Sequence, residues 1–306
     1  MKMSLSVRLR RLALSAAALA ALSGCATAWL SPLERDHPLA GRVWDTRAGH
    51  FVTAEAAIAR AVAARTVILG EAHDNPDHHR LQARVLAAML LAGRRPALVM
   101  EQFDREHQAG LDAARSAGET DAERVAEAGR FDREGWRWPD YRPLVELAVR
   151  NGLPLIAANL SREDARALMR SGRPAQGLAT APAALAARIE GDIIEGHCGI
   201  RPAAGMLPAM VEVQRARDAQ MATAMQTAGE SGAVLIAGAG HARRDRGAPF
   251  YLQATARETL LVIAFVEVEQ AKNRPGEYLP DGQFDFLWFT PRVERGDPCA
   301  SLRRSS

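Results

Sequence analysis

The sequence predicts an α/β domain built on a central, largely parallel sheet of about six strands, flanked by helices and carrying a helical cap insertion near residues 105–140. Short apolar runs recur along the chain. Stretches of helical periodicity separate them, as parallel strands require. Three of the runs end in carboxylates or imidazoles, at the strand ends where open α/β sheets bind ligands.

The chain opens on a processing signal. Lys2, Arg8, Arg10 and Arg11 form a basic stretch without an acidic residue, and Leu12 to Leu22 follows as a run of mostly Ala and Leu. That run is short of the roughly 20 apolar residues of a permanent span, but has the length of a signal-peptide core. It ends in Leu22-Ser23-Gly24-Cys25, which resembles the bacterial lipobox. The resemblance implies a signal peptide over 1–24 and lipid attachment at Cys25, with acyl chains such as palmitate holding the protein to a membrane. Ala26 follows the cysteine, as in the outer-membrane sorting class, so the expected location is the cell envelope, with the outer membrane favoured. Residues 25–50, rich in Pro, Gly, Arg and Asp, read as the lipidated cysteine and a tether. Residues 51–306 read as a single domain, long enough for a sizeable core.

Charge argues against nucleic acid. The whole chain is formally +3, and the signal supplies four positive charges, so the remainder is near −1 despite a pI of about 9.0. Beyond Cys25 only Cys198 and Cys299 remain. They show no local zinc spacing, and an envelope location would permit a disulfide; the sequence leaves their pairing open.

Ala54 to Ala64 reads as a helix, and Thr66 to Leu69 as a buried strand ending at Gly70. Pro76 suits the first turn of a helix continuing to Leu91. Ala97 to Met100 is a second strand, followed by helical segments near 105–117 and 121–129. Tyr141 to Arg150 is a helix closed by Asn151-Gly152, and Leu153 to Ala157 is a third strand reaching Asn159. Ser161 is a plausible N-cap for a helix over Arg162 to Arg170. Helices over 181–195 and 203–227 precede strands at Ala233 to Ala237, Leu260 to Val266 and Phe284 to Phe289.

The first strand runs into Glu71 and His73, the second into Glu101, and the fourth through Gly238-Ala239-Gly240 into His241. These four groups are expected to share one cleft. Imidazole with carboxylate can hold a divalent metal or do acid/base work on water. The small residues before His241 would let another group approach the backbone closely. Asn159 and His79 are secondary candidates for the same rim; His79 and Gln82 fall three apart on one helix face. A second cluster lies at Glu195 to Gly199 and includes His197. Beyond it Met206, Met210, Gln214, Arg217, Asp218, Met221 and Met225 recur at spacings of three and four. That face reads either as core or as a wall against a large, flat apolar ligand, with Gln214 and Asp218 giving polar contacts.

Eight blocks in register resemble the ChaN-like haem-binding lipoproteins of the Tiki superfamily. They are LGEAHDNPDHHRLQ, VMEQFDREHQ, WPDY, LIAANLSRE, GHCG, VQRARDAQMA, GAGHARRDRGAP and FDFLWFTP, spread from about Thr66 to Pro291. The resemblance implies a non-catalytic carrier that binds haem and assists haem or iron uptake. Its partners would be haem, a membrane, an outer-membrane haem receptor and a second copy of the chain. A tyrosine ligand at a dimer interface is implied, and Tyr141, inside the WPDY block, is the first candidate. His197 is the alternative iron ligand, with Met210, Gln214 and Asp218 as haem-contacting candidates. The superfamily also includes metal-dependent proteases and erythromycin esterases, whose shared elements fall on Glu71, His73, Glu101 and His241. The alternative they imply is a metal-dependent hydrolase of the envelope, with those four residues as its metal and catalytic set.

Overall fold

The computed structural model describes residues 28–175, 177–278, 283–297 and 299–300; the signal segment and Cys25 lie outside the described residues. Eight strands form one sheet: β1 (Val43–Asp45), β2 (His50–Val52), β3 (Thr66–Glu71), β4 (Ala97–Asp104), β5 (Leu155–Asn159), β6 (Ala233–Gly238), β7 (Leu260–Glu267) and β8 (Phe286–Thr290). Their order is β2-β1-β8-β7-β3-β6-β4-β5. The six strands from β8 to β5 are parallel. The remaining two form an antiparallel hairpin laid on β8, in the segment read as a tether. Further upstream, Ser31 N donates to Asp77 Oδ2 at 2.8 Å and Leu33 bridges to Arg292. Three-residue strands such as VWD and HFV are too short to show a period of two.

The parallel strands are buried along their length because helices cover both faces. On one face α1 (Ala54–Ala63) packs on α2 (Pro76–Leu91), and α2 on α5 (Trp138–Arg150). Asn75 caps α2 by accepting from Asp77 N, and Pro76 occupies its first turn. On the other face α8 (Met206–Thr227) sets Met221 and Met225 against Ile68, Val99, Leu235 and Val262. Helices α6 (Arg162–Ser171) and α7 (Ala183–Gly196) pack outside α8. The insertion after β4 holds α3 (Gln108–Ser116) and α4 (Ala122–Ala128). Two short helices, α9 (Ala248–Tyr251) and α10 (Ala254–Glu258), lie between β6 and β7. Cys198 and Cys299 form a disulfide, with Cα atoms 5.7 Å apart. Among the described residues no helix is long and apolar enough to cross a membrane.

The topology decides where chemistry collects. The chain leaves β3 for β4 and β5, then returns to insert β6 between β3 and β4 before passing to β7. Strand order therefore reverses around β3 and β6, and the carboxyl ends of β3, β6 and β4 stand side by side, about 5 Å apart per strand. Glu71 pairs with Gly238 in the register of β3 and β6.

Candidate functional site

Glu71 ends β3 on the face of α2 and α5, and its carboxylate is buried. Tyr141 Oη on α5 donates to Oε1 at 2.5 Å, and Gln82 Nε2 on α2 donates to Oε2 at 2.6 Å. Gln102 Nε2, from β4, approaches Oε1 at 3.3 Å. His79 lies with Nδ1 3.3 Å from Oε2 and Nε2 3.0 Å from the His73 carbonyl. Burial alone would raise the Glu71 pKa, but the His79 charge and the His73 hydrogen bond hold it well below the usual carboxylate range. Burial likewise opposes charging His79, and Glu71 outweighs it, so the His79 pKa is raised. The result is a buried ion pair saturated with donors.

One member of this set reaches outward. His73 Nδ1 lies 3.0 Å from Glu71 Oε1, while 45% of its side chain remains exposed. Trp136 from the insertion meets the ring edge-on at a centroid distance of 4.8 Å. The far side of the ring crosses the sheet end to Gly238, where a Cβ would stand 2.9 Å from His73 Nε2 and 3.8 Å from Glu101 Oε2. The glycine lets the imidazole lie against the backbone.

Glu101 and His241 occupy the α8 side of the same edge. Gly238 N donates to Glu101 Oε2 at 2.8 Å. His241 Nδ1 sits 2.7 Å from Asp218 Oδ1 on α8, and its Nε2 lies 3.5 Å from Glu101 Oε1 and 3.3 Å from the Gln214 amide. Burial opposes the His241 charge, but Glu101 and Asp218 lift its pKa to about 9, while burial raises Asp218 to about 6. At neutral pH His241 is an imidazolium between carboxylates.

Beyond His241 an open groove of about 890 Å³ runs between α6, α7 and α8. Met169, Ile189, Ile193, Met206, Met210 and Val213 make its walls apolar; Gln214, Asp218, Ala239 and Gly240 join it to the polar edge. His197, at the end of α7, lines it too, with Nδ1 2.7 Å from the Ile193 carbonyl. Nδ1 therefore donates that bond, and Nε2 is the ring nitrogen left for another partner.

A family profile described as "Haem-binding uptake, Tiki superfamily, ChaN" matches residues 57–252. The chain belongs to this family. No curated protein matches the sequence. Among solved structures, ChaN of Campylobacter jejuni, solved in a study of cofacial haem binding, superposes with a TM-score of 0.69 at 20% identity, covering 83% of this chain and 97% of that one. That likeness supports the α/β fold. The type III effector HopBA1 is more distant, with a TM-score of 0.45 at 15% identity over 78% of this chain and 93% of its own. The effector domain RRSP of a Vibrio vulnificus toxin reaches 0.40 at 15% identity, over 83% and 41%.

Within this ChaN-family chain the edge and the groove hold most of the expected residues. Glu71, His73, Glu101 and His241 converge, joined across Gly238. Each already has protein partners: Glu71 accepts from Tyr141 and Gln82, and His241 sits between Asp218 and Glu101. Among the described residues, the group whose ligating atoms all lie within 4.8 Å of one another is Asp104, Glu106 and His107. His79 belongs to the cluster as the counter-ion of Glu71. Asn159 does not join it; its Oδ1 accepts from Leu160 N, and β4 separates β5 from β6. Met210, Gln214 and Asp218 line the groove together with His197. Tyr141 is fully buried behind Glu71, away from the groove, and burial beside that carboxylate pushes its phenol up, against ionisation. Gln102, Trp136 and Arg166 also belong to the edge or the groove, and nothing in their spacing marks them as site residues. Gln102 directly follows Glu101 within β4, and Arg166 is one arginine among many.

Proposed function

We infer that this chain is an envelope lipoprotein that binds haem in the groove between α6, α7 and α8 and assists haem uptake. Its family membership supports the ligand, and the observation that carries the reading is His197. A ring nitrogen donating to a backbone carbonyl fixes the imidazole and leaves its other nitrogen as the one that would hold iron. The apolar groove around it has the size of a small-molecule pocket, for which about 300–1,000 Å³ is usual. The lipobox at Cys25 supports a membrane anchor, and a disulfide such as Cys198–Cys299 suits an oxidising compartment. An outer-membrane haem receptor and a second copy of the chain are the proposed protein partners. Titrating the full chain, purified in detergent, with haemin tests the reading. A saturable Soret band is expected, weakened and shifted in His197→Ala; a band that never saturates would reject it.

The polar edge favours a second reading, a hydrolase of the cell envelope acting at these strand ends. Glu71 orients the half-exposed His73 ring for acid/base work, and cationic His241 stands across Gly238 to stabilise developing negative charge. Ester and peptide turnover that vanishes in Glu71→Gln would support it. The absence of turnover across such a panel would remove it.

A further inference from the structure

Five arginines and three carboxylates line the groove. Most of the arginines are already committed. Arg162 pairs with Asp132 at 2.6 Å, Arg243 with Asp245 at 3.3 Å, and Arg246 with both Asp192 and Asp245 at 2.5 Å. Arg166 and Arg217 have no hydrogen-bond or ion-pair partner among the described residues. Arg217 Nε is also buried without a partner, an uncommon and costly state for a guanidinium nitrogen. Its charge is felt at Asp104, Asp218 and His241, but none of these lies within ion-pair distance. Asp218 is turned instead to His241.

The two free guanidiniums come from different helices, Arg166 from α6 and Arg217 from α8, and those helices pack against each other along the groove. Arg217 lies two helical turns, about 10 Å, along α8 from Met210. An apolar wall that gives way to unpaired guanidiniums matches a ligand with a flat apolar body and an anionic margin. Guanidinium is the group best shaped to take carboxylates in paired hydrogen bonds. We propose that Arg217 and Arg166 form a carboxylate-recognition subsite, which makes the groove selective for porphyrins with free propionates over uncharged ones. This rests on the haem reading above and names the part of the ligand that the groove discriminates.

The test compares haemin with haemin dimethyl ester, titrated by Soret absorbance into the full chain in detergent. Wild type is expected to bind haemin at least about tenfold more tightly, since one charge-assisted hydrogen bond is worth roughly that factor. In Arg217→Met, which keeps most of the side chain's apolar length, the preference should collapse toward unity with ester affinity retained; Arg166→Gln should reduce it in part. Equal affinity of wild type for haemin and the ester, with saturable binding of both, would overturn the carboxylate subsite and leave the haem reading standing. Saturable binding of neither would overturn both.

Discussion

Removing the hydroxyl of Tyr141 separates two roles that the WPDY block could have. In the structure the phenol is buried, donates to Glu71 Oε1 at 2.5 Å and faces the groove nowhere. Tyr141→Phe keeps the ring and deletes one hydrogen bond to a buried carboxylate, an interaction worth about 1.5–3 kcal/mol. Oε1 keeps His73 Nδ1 at 3.0 Å and a long contact to Gln102 at 3.3 Å, so the loss falls in the lower half of that range. For a domain of this size about 2 kcal/mol lowers Tm by roughly 3–4 °C. Thermal denaturation at pH 7, alongside a haemin titration, gives both readouts. A lower Tm with an unchanged Soret band is expected. An unchanged Tm would show that the bond to Glu71 contributes nothing, and a displaced band would make Tyr141 the iron ligand.

Three further outcomes follow from the same geometry. Burial drops His78 from the usual 6.5 to about 3, with Nδ1 accepting from Ala72 N and Nε2 facing Thr290 Oγ1. Stability from keeping it neutral is complete above pH 6.5 and is lost as pH falls toward 3, so between pH 7 and 5 wild type should lose about 2 kcal/mol more than His78→Gln in denaturant titrations. Gly238→Ala would put a methyl 2.9 Å from His73 Nε2, a clash costing about 1–3 kcal/mol. Burial opposes charging His73, but Glu71 and Glu101 raise its pKa; the ring should swing off Glu71 and that pKa should fall toward the ordinary value, and an unchanged NMR titration of His73 contradicts the close approach. Asp218→Asn removes one of the two carboxylates that hold His241 near 9. The His241 titration should drop by about a unit or more, and no drop would mean that Glu101 alone sets it.

The sequence announces the strands because helices cover both faces and make each an unbroken apolar run, as in TVILGE and AVLIAG. Polar groups at the ends of such runs are legible for the same reason. The order β3-β6-β4 is not written in any segment, so convergence had to be inferred from the end positions. Asn159 shows the limit: it ends a strand like the others, yet β5 lies beyond β4. The stripe on α8 was ambiguous because it does both jobs. Met206 and Met210 line the groove, while Met221 and Met225 lie under the sheet. Periodicity locates a face and is blind to where along the helix that face leaves the core. The hairpin at 43–52 was invisible because its strands borrow their stability from β8.

The two halves of the polar edge differ in a way that separates support from function. Burying ion pairs is costly relative to apolar packing, and this chain does so on both sides of one glycine. The Glu71 set is closed: its carboxylate oxygens are met by Tyr141, Gln82, Gln102 and two histidines, and its one exposed product is the edge of His73. The His241 set is open, because Gln214 and Asp218 touch the imidazole with one side and the groove with the other. A ligand in the groove therefore meets α8 residues whose charge is fixed by His241 and Glu101. The strand-end cluster sets the electrostatics of the inner groove wall, whether or not His73 ever takes a proton from water.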